Sequence, residues 1–232
     1  MVPAKDVASL KVNRTAKTLR ELSLEKMREA ILSEHFKPGE RLVERHLCEQ
    51  LDVSRSIVRE VLRHLETEGL VESIAHQGPV VATLDADQAA QIYEIRALLE
   101  GHAARLCAEK ASDEVIERLD ALNRKIQTAF ENEDFHEVMV RTAAFYEAMF
   151  TGSGLTMAWK VVQSLNARIN RLRAMTISAK DRRVEAAVEM ANIVQALRQR
   201  DPQAAQDASQ AHVRRVAEIA AQKLDQLAKP PV

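Results

Sequence analysis

Cysteine is nearly absent. The two present, Cys48 and Cys107, each sit at a helical position beside apolar neighbours in what read as separate domains, so neither a disulfide framework nor a thiolate metal site can be built from them. Long apolar runs are missing: nothing approaches the ~20 residues that cross a bilayer, and Met1-Val2-Pro3-Ala4-Lys5-Asp6 lacks the apolar core of a signal peptide. The expected location is the cytoplasm, away from any membrane. An excess of one charge is missing too. The formal net charge is −1, and residues 1–84 carry as many Lys and Arg as Asp and Glu, so affinity for nucleic acid must come from local placement. No nucleophile and base pair, metal triad, phosphate loop or GxGxxG appears, which disfavours an enzyme. What remains is a globular balance, 46% apolar and 29% charged, over 232 residues, enough for one large domain or two ordinary ones.

The most informative stretch runs from Glu40 to Val81. Ser54 is a good helix N-cap and Gly69 a good C′ residue, so a helix fits between them. Within it Val58, Val61, Leu62 and Leu65 follow the spacing of one buried stripe, while Arg55, Arg59 and Arg63 recur every four residues on another face. Just upstream, Glu44 to Leu51 reads as a short helix with Leu47 and Leu51 inward, and Asp52-Val53 allows only a tight turn; together these make a helix-turn-helix. Leu70 to Ile74, a turn over Ala75 to Pro79, and Val80 to Thr83 follow as strand, turn and strand, the wing of a winged helix. An arginine row alone more often marks a solvated face. Combined with an upstream helix, a short turn and His76 at a wing tip, it points to DNA.

This stretch resembles the N-terminal domain of GntR-type bacterial transcription regulators over about Leu22 to Thr83. The resemblance rests on Pro38-Gly39-Glu40-Arg41-Leu42, Glu44-Arg45, Val53-Ser54-Arg55, Val58-Arg59-Glu60, Leu65-Glu66, Glu68-Gly69-Leu70-Val71 and Gly78. It implies that Arg45, Arg55, Arg59 and His76 occupy DNA-contacting positions, with Ser54, Arg63 and Gly78 beside them. Arg55 and Arg59, near the helix N-terminus, are the candidates for base contact; Arg45 and Arg63 suit phosphate or packing. Two residues depart from the family pattern: Asp52 stands where glycine is usual in the turn, and Ser56-Ile57 replaces the commoner Thr-Pro.

Three segments are expected: a mobile arm over 1–17, a winged helix-turn-helix over 18–84, and a helical domain over 85–228. From Gln88 onward the pattern is helical without further strands, and stops such as Gly152-Ser153-Gly154 and Asp201-Pro202 divide it into about six helices, one of them spanning Leu155 to Ile177. The fold class is thus mainly α, with an antiparallel bundle whose interior is a usual place for a small molecule. Such a bundle after a GntR-type winged helix resembles the effector-binding domain of the FadR-type subfamily, and six helices rather than seven would place it in the VanR-like branch. Tyr93-Glu94-Ile95-Arg96, Phe145, Ile193, Ala196-Leu197, Asp201 and His212 carry this second resemblance.

Many members of that subfamily hold a divalent metal on an Asp and a His of the third bundle helix and one His each from the fifth and sixth. Here those positions are Thr142, Tyr146, Met190 and His212. One imidazole with a hydroxyl, a phenol and a thioether is a poor cage for Zn²⁺, so no metal is expected. The same four residues with Arg96 suit a small organic effector, the arginine fork matching a carboxylate; Arg96 can instead pair with Glu100, four residues on. Arg168, Arg171 and Arg173 read as surface or dimer-face charges. The sequence therefore predicts a homodimeric, ligand-responsive DNA-binding repressor acting on a near-palindromic operator and answering to a small carboxylate-type metabolite. A constitutive DNA-binding protein with a degenerate, non-sensing helical domain stays open beside it.

Overall fold

The computed structural model describes residues 17–33, 35–177, 179 and 182–228; apart from Lys17, the expected arm over 1–17 lies outside them. Helix α1 (Leu19–Leu32) opens with reciprocal capping, the Thr18 hydroxyl accepting from the Glu21 N–H while the Glu21 carboxylate accepts from the Thr18 N–H at 2.8 Å. Helices α2 (Glu44–Leu51) and α3 (Arg55–Thr67) follow. The turn between them places Asp52 in the left-handed region, at φ 52° and ψ 47°. A side chain there costs about 1 kcal/mol, less for Asp than for most residues. Replacing Asp52 by glycine is therefore expected to stabilise the winged helix by about 0.5–1 kcal/mol, and Asp52→Ala to destabilise it by a similar amount; thermal unfolding of the two variants measures both.

Ser54 caps α3, accepting from the Ile57 N–H at 3.4 Å. The apolar stripe of that helix becomes the centre of a first core, with Val58, Leu65 and Leu70 fully buried and α1 packed across it. Strands β1 (Val71–Ile74) and β2 (Gly78–Val81) pair antiparallel, Val71 facing Val81 and Ile74 facing Gly78. The second strand thus starts two residues earlier than the sequence suggested. Pairing of Gly78 and Pro79 shortens the connection and leaves His76 at the tip with φ 68°.

A second, larger core belongs to α4 (Ala86–Lys110), α5 (Asp113–Glu131), α6 (Phe135–Gly152), α7 (Thr156–Ser164), α8 (Asn166–Ile177), α9 (Arg182–Arg198) and α10 (Pro202–Ala228). Helix α4 packs most extensively on α10, α5 on α6, and α9 against both α10 and α5. Phe145, Phe150 and Leu119 are fully buried at its centre. The described residues thus hold seven helices after the wing, where six were expected, and the count behind the VanR-like assignment does not hold. The expected helix over 155–177 is broken after Ser164. Its hydroxyl donates to the Val161 carbonyl at 2.7 Å, and the Leu165 N–H bonds back to Val162, three residues away at 3.1 Å, a tightened last turn that ends α7. No helix among the described residues is long and apolar enough to cross a membrane.

Helix α8 touches both cores. Ala167 packs against the first core, the Arg168 guanidinium lies so close over Gly69 that an added methyl would overlap it, and Arg171 donates to the Ala82 carbonyl just past β2. Gly69 is needed twice over, for this close approach and for its φ of 71° at the end of α3. Farther along the same helix, Thr176 and Ile177 turn into the helical domain.

Candidate functional site

Two constellations stand out. The first is the outward side of α3 and the wing. Ser54, Arg55, Arg59, Arg63 and, on α2, Arg45 are all exposed, as is His76 at the wing tip; Gly78 is half-buried at the base of β2. Among the described residues Arg55 and Arg63 make no ion pair, whereas Arg59 donates from Nε to both carboxylate oxygens of Glu44, at 3.1 and 3.0 Å. Arg45 lies 3.7 Å from Glu49. The Ser54 hydroxyl is tied to Ser56 at 2.8 Å and to its own helix. No spacing signal links Arg59 to Glu44, fifteen residues upstream; only the angle of the two helices brings them face to face.

The second constellation lies inside the helical domain, where α4, α5, α6, α8, α9 and α10 enclose a cavity of about 50 Å³. Arg96, Thr142, Met190 and His212 line it together. Tyr146 stands behind Arg96, whose guanidinium carbon is 5.9 Å from its ring centre, and the Tyr146 hydroxyl is buried without a hydrogen-bond partner among the described residues. Two arginines missed in the sequence join the wall, Arg173 from α8 and Arg182 from the start of α9. Arg168, Arg171 and Arg173, read from sequence as surface or dimer-face charges, each make contacts within the fold.

Charges around the cavity are largely matched. Arg96 and Glu100 form a buried pair at 2.7 Å, so the four-residue pairing weighed in the sequence is the one present. Arg182 donates to Glu189 at 3.0 and 2.8 Å, and His212 Nδ1 lies 2.7 Å from the same carboxylate. Burial works against the charge on Arg96, but Glu100 outweighs it and holds the guanidinium firmly protonated. Arg173, by contrast, is driven below the ordinary arginine range by burial and then by its neighbour Arg96.

A divalent metal does not fit these residues. The positions the resemblance assigns to ligands hold a hydroxyl, a phenol, a thioether and one imidazole, and the ring nitrogen His212 turns toward Glu189 already has a partner. Among the described residues no three His, Cys, Asp or Glu side chains gather in a metal-binding cluster.

The His212–Glu189–Arg182 group has a consequence for acid stability. Burial, assisted by Arg182 and Arg96, lowers the His212 pKa below its ordinary value despite the pull of Glu189. Burial alone would raise the Glu189 pKa, but hydrogen bonds from His212 and Arg182 prevail and hold it low. The unfolded chain therefore takes up protons that the folded chain refuses, on His212 as pH falls below ~6.5 and on Glu189 below ~4.3. Stability is complete above both unfolded values and declines on acidification, by at most about 1.4 kcal/mol per pH unit for each group. A series of melting temperatures from pH 7.5 to 5 is expected to fall, and His212→Gln to flatten its upper part.

Comparison with known proteins matches both constellations to families. Bacterial regulatory proteins of the gntR family match residues 24–81, and the FCD domain matches residues 91–215. The Nta operon transcriptional regulator of Aminobacter aminovorans is 44% identical over 85 residues, 37% of this chain and 40% of that protein. The uncharacterized HTH-type transcriptional regulator YdhC of Bacillus subtilis (strain 168) is 33% identical over 125 residues, 49% of this chain and 56% of its own. The matched stretch thus spans about half the length of these relatives or less. Among solved structures, that of E. coli McbR/YncC superposes with a TM-score of 0.71 at 22% identity, covering 92% of this chain and 100% of that one, a likeness of fold.

Proposed function

Since this chain belongs to the gntR family of bacterial regulatory proteins and carries an FCD domain, we propose that it is a DNA-binding transcription regulator, not an enzyme, whose helical domain senses a small organic acid. Residues 18–84 are the DNA-binding unit and 85–228 the effector-binding and dimerisation unit. The observation that carries the reading is the pairing of two features in one chain: an exposed arginine face on a capped second helix beside a wing, and an arginine-lined cavity in the bundle behind it. In this reading α3 enters the major groove, where Arg55 and Arg59 read base edges while Arg45, Arg63, Ser54 and the wing at His76 and Gly78 hold the backbone. A regulator seated on an operator excludes other proteins from it, so the simplest outcome is repression, in the cytoplasm beside the chromosome.

A homodimer on a near-palindromic site completes the proposal, since two copies of α3 must be presented with matching symmetry. Apolar side chains left outside both cores favour self-association. Ile95 and Leu98 on α4 are 38% and 62% exposed, and Met157 and Val161 on α7 are 69% and 50% exposed.

Native mass spectrometry of the purified chain, followed by selection of bound duplexes from a random-sequence pool, tests the reading. The expected results are a species of twice 26.0 kDa and an enriched sequence with two-fold symmetry. A monomer that enriches no sequence would overturn it.

A further inference from the structure

The acid this cavity admits can be narrowed by charge, by hydrogen-bond supply and by size. Charge comes first. Of the three arginines on the wall, Arg96 is matched by Glu100 and Arg182 by Glu189, each at hydrogen-bond distance, while Glu185, 3.8 Å from Arg182, is neutralised by its two hydrogen bonds from Arg215. Arg173 has no carboxylate within ion-pair distance among the described residues; its guanidinium is held by the neutral Asn170 side chain at 3.0 Å, and Glu100, which attracts it, is already clasped by Arg96. Among the described residues the wall therefore carries one positive charge beyond its carboxylates. A ligand with one negative charge balances it, and a second negative charge would face the apolar side formed by Ile126, Phe130 and Val138.

Hydrogen-bond supply points the same way. The Thr142 hydroxyl donates to the Val138 carbonyl at 2.7 Å and the Thr176 hydroxyl to the Arg173 carbonyl at 3.1 Å, so neither proton is available to a ligand. The guanidinium N–H groups remain as the wall's donors, and their fork fits a carboxylate. Size closes the choice. A space of about 50 Å³ holds on the order of four water-sized groups, the heavy-atom count of acetate, and so favours a short acid over a bulky polyacid.

We propose that the effector is a short-chain monocarboxylate seated on Arg173, its tail against the Phe130 side, and that no metal ion takes part in holding it. This rests on the sensing role proposed above and adds the class of ligand and the residue that selects it.

The test uses the full chain in EDTA at pH 7.5 and constant ionic strength. Thermal unfolding is followed with acetate, propionate, butyrate, succinate, citrate or chloride as the added anion. Acetate, followed by propionate, is expected to raise the melting temperature by about 3–5 °C at saturation, with succinate and citrate no better than chloride. Arg173→Met is expected to remove the response while keeping the helical circular dichroism spectrum, and Arg173→Lys to weaken it. Should Arg173→Met fail to fold, calorimetric titration of the unaltered chain with the same acids decides the matter by their ranking. A response only when Zn²⁺ or Ni²⁺ is supplied, or one undiminished in Arg173→Met, overturns the proposal. A chain that answers succinate or citrate instead rejects the monocarboxylate but keeps the sensing role, whereas silence toward every acid rejects both.

Discussion

Replacing Glu100 by methionine is expected to destabilise the helical domain by about 3–5 kcal/mol, the largest effect of any single substitution considered for this chain. The side chains of Arg96 and Glu100 are 3% and 2% exposed, and the pair is closed by two hydrogen bonds, 2.7 Å from Nε and 3.3 Å from Nη2. Without the carboxylate, Arg96 stays charged between the Tyr93 and Tyr146 rings with no opposite charge in contact and its side chain 3% exposed. The double variant Arg96→Met/Glu100→Met is expected to recover most of the loss, because a buried ion pair gains little over well-packed apolar side chains. Urea unfolding of the two variants beside the unaltered chain measures both quantities. A double variant as unstable as Glu100→Met would show that packing, not the stranded charge, carries the loss.

On DNA, Arg59→Ala is expected to reduce operator affinity by about 10- to 100-fold while hardly changing affinity for random duplex, as loss of a bidentate base contact does. Arg63→Ala is expected to weaken both alike and to lower the salt dependence by about one phosphate's share. The Glu44 contact adds a further expectation. Arg59 must let go of Glu44, or share it, to reach a guanine, so Glu44→Gln should raise affinity for random duplex and narrow the gap to the operator. Fluorescence anisotropy on both duplexes at several salt concentrations separates the three variants. Equal losses from Arg59→Ala and Arg63→Ala would remove the division into base and phosphate roles.

Much of the fold was legible because the signals for it are local. Ser54 and Gly69 mark helix ends through short-range bonds, and the stripe of Val58, Val61, Leu62 and Leu65 states its own buried face. The break after Ser164 was not legible. Val162, Leu165 and Ile169 continue one apolar repeat across it, and the side-chain hydroxyl that ends the helix is one that many unbroken helices also contain. Helix α4 misled for another reason: Ile95 falls in one apolar repeat with Ile92 and Leu99 and looks like a core residue, yet it is exposed while the Arg96–Glu100 pair beside it is buried.

The cavity was half legible. Arg96, Thr142, Met190 and His212 could be brought together by family pattern, but Arg173 and Arg182 could not, since their roles depend on partners from other helices. One trace was present in the sequence. Arg182, Glu185 and Glu189 recur at three- and four-residue spacing along one face of α9, which forecasts an ion-paired stripe but not the imidazole thirty residues after Arg182 that completes it.

The grip of α8 on the winged helix, through Arg168 over Gly69 and Arg171 on the Ala82 carbonyl, sets a reciprocal condition on regulation. If an acid at Arg173 changes operator affinity by some factor, the operator changes acid affinity by the same factor, whatever the route between the two sites. A protein parked on DNA would then read a different concentration of the acid from one in free solution. The concentration at which the gene responds would be set by the abundance of operator sites as well as by the fit of the cavity.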